Sequence, residues 1–259
     1  MVNKWFNKVF AAAIALLFSC PLAGYAESQR GIHTKESIFP GRQLWEFGAR
    51  LSFVETNDNL EQFRNSSTDT VLLTPYLRYG INDDMSVDVD LPFGSADSDA
   101  LGDDSGLGNI SVGLQLRAYQ NALEYPYVIP HIKLNLETAD ENSALDDGAG
   151  GVEFGVSVGT VVNDMYRWVG DVSYEIRGDE ENLIRGSVTL ITEISEKFSL
   201  ILEATITDEG DSTGSDNPIV GIGGMAYQWS ENIHTSWYGG GGLNTDDDVI
   251  AMFKAGYSF

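Results

Sequence analysis

The feature that most constrains this chain is a two-residue alternation of apolar and polar side chains. The stretch from Trp45 to Phe53, "WEFGARLSF", places its aromatic and aliphatic residues on one face and Glu46, Gly48, Arg50 and Ser52 on the other. A period of two is the period of a β-strand. The pattern recurs in about twelve segments of roughly ten residues each, which is the length that a tilted strand needs to cross a bilayer.

The connections between these segments alternate in length and charge. Short turns occur at Asn82, Asn163, Ser195 and Ser230. They take turns with longer acidic connections, "GSADSDALGDDSGLG", "ADENSALDDGAG", "DEGDSTGSDN" and "NTDDD". Outer-membrane barrels have this arrangement, with short turns on the periplasmic side and longer loops outside.

The predicted fold is therefore all-β, a transmembrane antiparallel up-and-down β-barrel of about 12 strands with short periplasmic turns and longer acidic extracellular loops. In such a barrel the apolar face meets lipid and the polar face lines the interior. Aromatic side chains beside the short turns suit the membrane interface; they are Trp45, Tyr79, Trp168, Phe198, Tyr227, Trp229, Tyr257 and Phe259. A soluble sandwich or lipocalin-like barrel with its apolar face inward has the same period, so the alternation alone does not separate the two.

Residues 1–26 have the layout of a secretory signal peptide. Lys4 and Lys8 form a short basic start, an apolar run follows, and small residues precede the expected cut after Ala26. A retained anchor and a lipoprotein signal ending at Cys20 are alternatives, but the apolar run is too short to span a bilayer as a helix. We therefore divide the chain into a signal peptide (1–26), a periplasmic leader or plug segment (27–41) and an outer-membrane β-barrel (42–259).

The last segment, "AMFKAGYSF", alternates up to its final residue. Terminal residues usually fray, but a last strand that pairs with the first to remove the sheet edge is held in place. "AGYSF" also resembles the C-terminal signature of bacterial outer-membrane barrels that the assembly machinery reads. That resemblance makes Phe253, Tyr257 and Phe259 the expected assembly signal.

Three other stretches carry a family resemblance. They are "DDMSVDVDLPFG" from Asp83, "GLGNISVGLQLRAY" from Gly106 and "GAGGVEFGVSVGTVVNDMYRWVGDVSYEIRGD" from Gly148. In this order they resemble the outer-membrane family named for the meta-pathway of phenol degradation, over most of the chain. One departure is "LNLETADEN", where such proteins carry a Pro-Thr-Gly turn. The resemblance implies a transporter-like barrel for small molecules, including aromatic ones.

Carrying the alternation through each strand predicts a charged interior in which the two signs nearly cancel. The predicted interior residues are Arg50, Arg78, Asp88, Asp90, Arg117, His131, Lys133, Glu153, Arg185, Glu203, His234 and Lys254. Two readings stay open: ion pairs that fill the interior, or opposed acidic and basic walls along a water-filled passage. Bulges are expected at Pro75, Pro92 and Pro130 because proline lacks a ladder donor, and a one-residue slip would exchange the two faces of a strand.

Catalysis and metal binding have little support in the sequence. His131 and His234 are the interior histidines, and Ser236 shares a face with His234, but a hydrolase also needs a third group that orients the histidine. The acidic stretch from Asp97 lacks the spacing and the closing glutamate of a calcium loop. We expect no catalytic residue, no metal and no cofactor.

The sequence predicts a passive outer-membrane channel or transporter-like barrel for small solutes, with aromatic or hydrophobic compounds implied by the resemblance. A structural or adhesive barrel with a filled interior is the alternative, and a barrel hydrolase is a third. The expected partners are outer-membrane lipid and lipopolysaccharide, the barrel assembly machinery and a small-molecule solute, with the protein itself a monomer. A net charge of −24 argues against nucleic acid.

Overall fold

The structure is a computed structural model that describes residues 40–58, 66–98, 102–120, 126–139, 145, 150–162, 165–178, 182–208, 217–244 and 249–259. The predicted signal peptide, nearly all of the predicted leader and most residues of the predicted acidic connections lie outside these ranges. Within the described ranges no helix is long and apolar enough to cross a membrane.

The described residues form fifteen β-strands. Their bounds are β1 Trp45–Asp58, β2 Ser66–Asn82, β3 Met85–Asp90, β4 Phe93–Ser98, β5 Gly102–Leu107, β6 Ile110–Leu116, β7 Tyr119–Gln120, β8 Tyr127–Leu136, β9 Gly151–Val162, β10 Tyr166–Arg177, β11 Leu183–Ser195, β12 Phe198–Asp208, β13 Ile219–Gln228, β14 Ile233–Gly242 and β15 Val249–Ser258. All of the pairings between them are antiparallel.

The strands close into an up-and-down barrel whose wall is twelve strands around, with some short strands sharing one of these twelve positions. Neighbours in the chain are neighbours in the sheet, and β1 pairs with both β2 and β15, so the sheet has no free edge at the seam. β3 and β4 share one position, because β3 pairs with the second half of β2 and β4 with its first half. β5, β6 and β7 share the next position. The prediction of a closed antiparallel barrel is confirmed.

The prediction that residues Gly94 to Gly108 form a loop was wrong, because most of them form the hairpin of β4 and β5. β2 runs well past the end of β3, and its first half needs hydrogen-bonding partners that β4 supplies. A break at Leu91 and Pro92 separates β3 from β4. Neither face of this hairpin is apolar, which is why the alternation did not reveal it.

The ladder has a register irregularity opposite Pro130, and two more occur beside short turns. The latter two lie between Gly80 and Asn82 and between Glu193 and Ser195. Pro75 pairs with Ala49 in an unbroken ladder. Pro130 keeps register with β9, but on its other side three residues, Leu116 to Ala118, stand opposite Ile129 and Pro130. The missing donor of Pro130 thus coincides with an extra residue on the facing strand.

The apolar face of the strands points outward. On β10, Trp168, Val172, Tyr174 and Ile176 are 41–59 % exposed and alternate with buried residues. Aromatic pairs stand near the short-turn end: the ring centroids of Trp45 and Tyr79 are 4.4 Å apart, those of Tyr227 and Trp229 are 4.8 Å apart, and those of Tyr257 and Phe259 are 6.0 Å apart. This arrangement is the apolar band and aromatic girdle of a membrane barrel.

Candidate functional site: the barrel interior

The second face of each strand turns inward and carries most of the buried polar residues. Along β10 the buried set is Arg167, Val169, Asp171, Ser173 and Glu175, at every second position. The same parity continues through the ladder, since Asp171 pairs with Ser157 on β9 and with Ser187 on β11. Because a buried polar group needs a partner, the interior is organised as hydrogen-bonded clusters.

One cluster lies across the seam of the barrel and joins β1, β2 and β14. Tyr76 donates its hydroxyl to Glu46 Oε1 at 2.9 Å, Arg78 Nη1 lies 3.8 Å from Glu46 Oε2, and His234 Nε2 lies 3.9 Å from Glu46 Oε1. Glu46, Arg78 and His234 are each at most 4 % exposed. We call these four residues the seam cluster.

Two glycines make room for the seam cluster. Gly48 of β1 and Gly256 of β15 are directly paired across the seam. A Cβ atom at Gly48 would overlap the Tyr76 ring, and one at Gly256 would overlap the His234 ring and the Tyr76 hydroxyl. Small residues are therefore required at this pair because large side chains cross it on the inside.

A second cluster lies on β8 to β11. His131 Nε2 is 3.6 Å from Glu153 Oε1, and His131 Nδ1 is 3.8 Å from Asp171 Oδ2. Arg185 Nη1 donates to Glu153 Oε2 at 3.1 Å, and Ser157 donates its hydroxyl to Asp171. The Arg185 side chain is 23 % exposed, whereas the carboxylates of Glu153 and Asp171 are almost completely buried. We call these five residues the His131 cluster.

Further polar contacts link the remaining walls. Arg50 Nη2 pairs with Asp90 Oδ2 at 3.2 Å, Gln115 donates to Asp88 at 2.8 Å, and Thr189 donates to Glu203 at 2.7 Å. The Lys254 ammonium lies 5.0 Å from the centroid of the Tyr76 ring, within cation–π distance.

The structure places most, but not all, of the twelve residues predicted to lie in the interior on the expected strand face. Eleven of them lie on the inward face of their strands. Arg117 does not belong to a strand: it follows β6, and its Nε pairs with Asp84 Oδ1 at 2.9 Å in the turn between β2 and β3. Asp84 itself is 62 % exposed. Arg117 is thus brought together with the short-turn end of the barrel and not with Asp88 or Asp90.

Sequence reasoning missed an apolar patch on the inner wall. Ile191, Ile201, Ile222, Ala226 and Tyr238 are at most 8 % exposed and pack together, with Val220 and Met252 against them. They lie on the inward parity, since Ile201 alternates with the buried Ser199 and Glu203. The signal was present in "LITEI" and "LILEA", where β11 and β12 are apolar on both faces. We call these seven residues the apolar wall.

Among the described residues, His131 and His234 do not assemble a catalytic arrangement with a serine. Neither ring nitrogen of His234 has a hydrogen-bond partner among the described residues, so Ser236 is not held by it. His131 contacts two carboxylates and no serine at hydrogen-bond distance. Within the described ranges, no group of three or more His, Cys, Asp or Glu side chains could hold a metal ion.

The last strand is tied to the first at its final residue. Trp45 and Phe259 exchange two backbone hydrogen bonds, each 2.8 Å. The side chains of Phe253, Tyr257 and Phe259 lie on the outward face, and the rings of Phe253 and Trp237 are 5.6 Å apart. The three residues of the predicted assembly signal thus share the outward face of the strand at the seam, with Ala255 between Phe253 and Tyr257.

Comparisons with solved structures find the same architecture in outer-membrane channels. The COG4313 outer membrane channel from Pseudomonas putida F1 matches with a TM-score of 0.69 and 14 % identity, covering 90 % of this chain and 100 % of that chain. The KdgM porin matches with a TM-score of 0.55 and 10 % identity over 83 % and 99 % of the two chains. The CymD monoaromatic hydrocarbon channel matches with a TM-score of 0.54 and 8 % identity over 95 % and 97 %. No curated protein matches the sequence.

A closed antiparallel barrel with an apolar outer face, an aromatic girdle and a polar interior defines the class of transmembrane β-barrels. Within that class, residues 52–255 match the family described as "Putative MetA-pathway of phenol degradation". The match covers most of the chain, so the protein belongs to this family. The resemblance seen in the sequence motifs is confirmed.

Proposed function

We propose that the protein is an outer-membrane channel for passive passage of small solutes, including aromatic and hydrophobic compounds. The observation that carries this proposal is the closed barrel whose interior charges are partly open to solvent, as at Arg50, Asp90 and Arg185, with side chains 23–32 % exposed. Charged groups that water reaches inside a barrel are what a water-filled passage requires.

Family membership and structural likeness support the same reading. Solved structures of similar fold include outer-membrane channels and porins, one of them a monoaromatic hydrocarbon channel. We extend this to the location: the chain is exported through the signal peptide of residues 1–26, inserts into the outer membrane by way of its last strand, and acts there as a monomer without catalysis.

A filled structural barrel is the second candidate, and one observation favours it. Near the short turns, interior side chains are packed to complete burial, with Tyr127, Ile129, Val169 and His234 all at 0 % exposure. A solute passage must therefore be narrow at that end.

Liposome swelling tests the proposal. Purified, heat-modifiable barrel is reconstituted in liposomes and exposed to neutral solutes of increasing size, from glycerol to benzyl alcohol and disaccharides. A channel gives swelling rates that fall with solute size, whereas liposomes with heat-denatured protein do not swell faster than empty ones. Swelling no faster than that of protein-free liposomes with every solute would establish the filled barrel instead.

A further inference from the structure

The acidic and basic side chains of the interior differ in their exposure to solvent. Most interior carboxylates are buried to 8 % exposure or less; they are Glu46, Glu153, Asp171, Glu175 and Glu203. Most interior basic side chains are half-buried and reached by solvent; they are Arg50, Lys133, Arg177, Arg185 and Lys254. Arg78 and Arg167 are the buried bases, and Asp88, Asp90 and Glu193 are the acids that solvent reaches.

The buried carboxylates are screened by donors from the wall. Arg185 and His131 approach Glu153, Asn135 donates to Glu175 at 2.6 Å, and Thr189 donates to Glu203. Burial and these hydrogen bonds hold the carboxylates within the wall, out of direct contact with a solute.

The accessible acids have wall partners as well. Gln115 donates to Asp88 without cancelling its charge, Arg50 pairs with Asp90, and Arg167 Nη2 lies 3.2 Å from Glu193 Oε1. The Lys133 side chain, in contrast, makes no hydrogen bond or ion pair with any described residue. Its strand neighbours across the ladder are Gly113 and Glu153, and the carboxylate of Glu153 is taken by Arg185. The interior charges that solvent reaches are thus five basic and three acidic, a positive balance inside a chain that carries −24.

Apolar surface accompanies these basic groups. Val220 and Met252, at the margin of the apolar wall, are half-buried, and Met252 is two residues from Lys254 on the same strand face. The Tyr76 ring lies under the Lys254 ammonium. A passage with basic groups and apolar surface side by side complements a solute that joins one negative charge to an apolar body.

We propose that the passage selects small organic monoanions, such as aromatic carboxylates, through Lys133 with Arg185 and Lys254. The proposal rests on the proposed function, because it names the class of solute that the channel passes best. It assigns the attraction to the interior and not to the acidic connections outside.

Reversal potentials across planar bilayers test the sign of the selectivity. In a salt gradient the unmodified channel is expected to prefer chloride over potassium. Lys133→Gln is expected to lower the ratio of chloride to potassium permeability by about threefold, since charge in a narrow pore is poorly screened. Lys197→Gln is the matched control, because Lys197 is exposed in a short turn and its loss leaves the ratio unchanged. A channel that prefers potassium, or a ratio that Lys133→Gln leaves unaltered, would overturn the proposal.

Swelling with three solutes of one shape separates this inference from the proposed function. Benzoate, benzyl alcohol and benzylammonium share a ring and differ in charge. Benzoate is expected to permeate fastest through the unmodified protein and to lose that advantage in Lys133→Gln. Equal rates, or fastest permeation of benzylammonium, would overturn the inference and leave the channel function standing. No permeation of any of the three, with heat-modifiable protein in the membrane, would overturn both.

Discussion

At the scale of single residues, the interior depends on glycines that leave space for polar side chains crossing from other strands. The Gly48 and Gly256 pair accommodates Tyr76 and His234, and Gly159 accommodates the Tyr127 ring in the same way. Substitution into such filled space forces neighbours to shift, at a cost of roughly 1–3 kcal/mol. The cost of replacing a glycine in this barrel thus depends on which atoms a new side chain would meet.

Gly256→Ala is predicted to destabilise the folded barrel by about 1–3 kcal/mol because the new methyl group overlaps the His234 ring. Gly170→Ala is the matched control, since a Cβ there meets no atom within 4 Å. Urea unfolding in detergent, followed by the gel shift of the folded form, measures both. In a His234→Ala background the additional loss from Gly256→Ala should be smaller, because only the overlap with the Tyr76 hydroxyl remains. Equal stability of the two single variants would remove the steric account of the seam cluster.

At the scale of strands, the pairing of the first strand with the last closes the barrel. β15 pairs with β1 over ten residue pairs, and the two backbone bonds between Trp45 and Phe259 extend that ladder to the last residue. Closure of this pair removes the exposed edges that would otherwise recruit other chains.

Deletion of Phe259 is predicted to lower the amount of folded, heat-modifiable barrel in the outer membrane while leaving export to the periplasm unchanged. The deletion removes both the bonds to Trp45 and the aromatic end of the assembly signal. Cell fractionation with gel shift and immunoblotting measures the two quantities separately. Phe259→Tyr keeps the backbone bonds and the ring, and should assemble normally. Unchanged assembly of the deletion variant would leave Phe259 with a packing role only.

Strands were predictable from sequence where lipid imposes an apolar face, and unpredictable where nothing does. β12 was predictable because Leu200 and Leu202 give it an apolar face toward the membrane. The hairpin of β4 and β5 was not predictable because it is polar on both faces. The apolar wall was hidden for the opposite reason, since Ile201 stands between two leucines and breaks the expected polar parity. The partner of Arg117 depends on the shape of a turn, which the two-residue period does not encode.

At the scale of the whole molecule, the barrel separates an apolar exterior from an interior that carries charge. Its buried carboxylates accept hydrogen bonds from, or form ion pairs with, side chains of other strands. Pairing of β1 with β15 closes the wall at the seam, and we expect solutes to cross through the interior. Narrow packing near the short turns and partly exposed charges such as Arg50 and Asp90 together predict a small, hydrated bore.

Single-channel recording of the purified, full-length barrel in planar lipid bilayers tests this central claim most directly. The account predicts discrete, reproducible current steps of small size in concentrated potassium chloride, as expected for a bore narrower than that of sixteen-stranded porins. The same preparation must show the heat-modifiable gel shift, so that insertion of folded protein is established independently. Silent membranes that contain folded barrel would contradict the account and identify the interior as a filled, structural core.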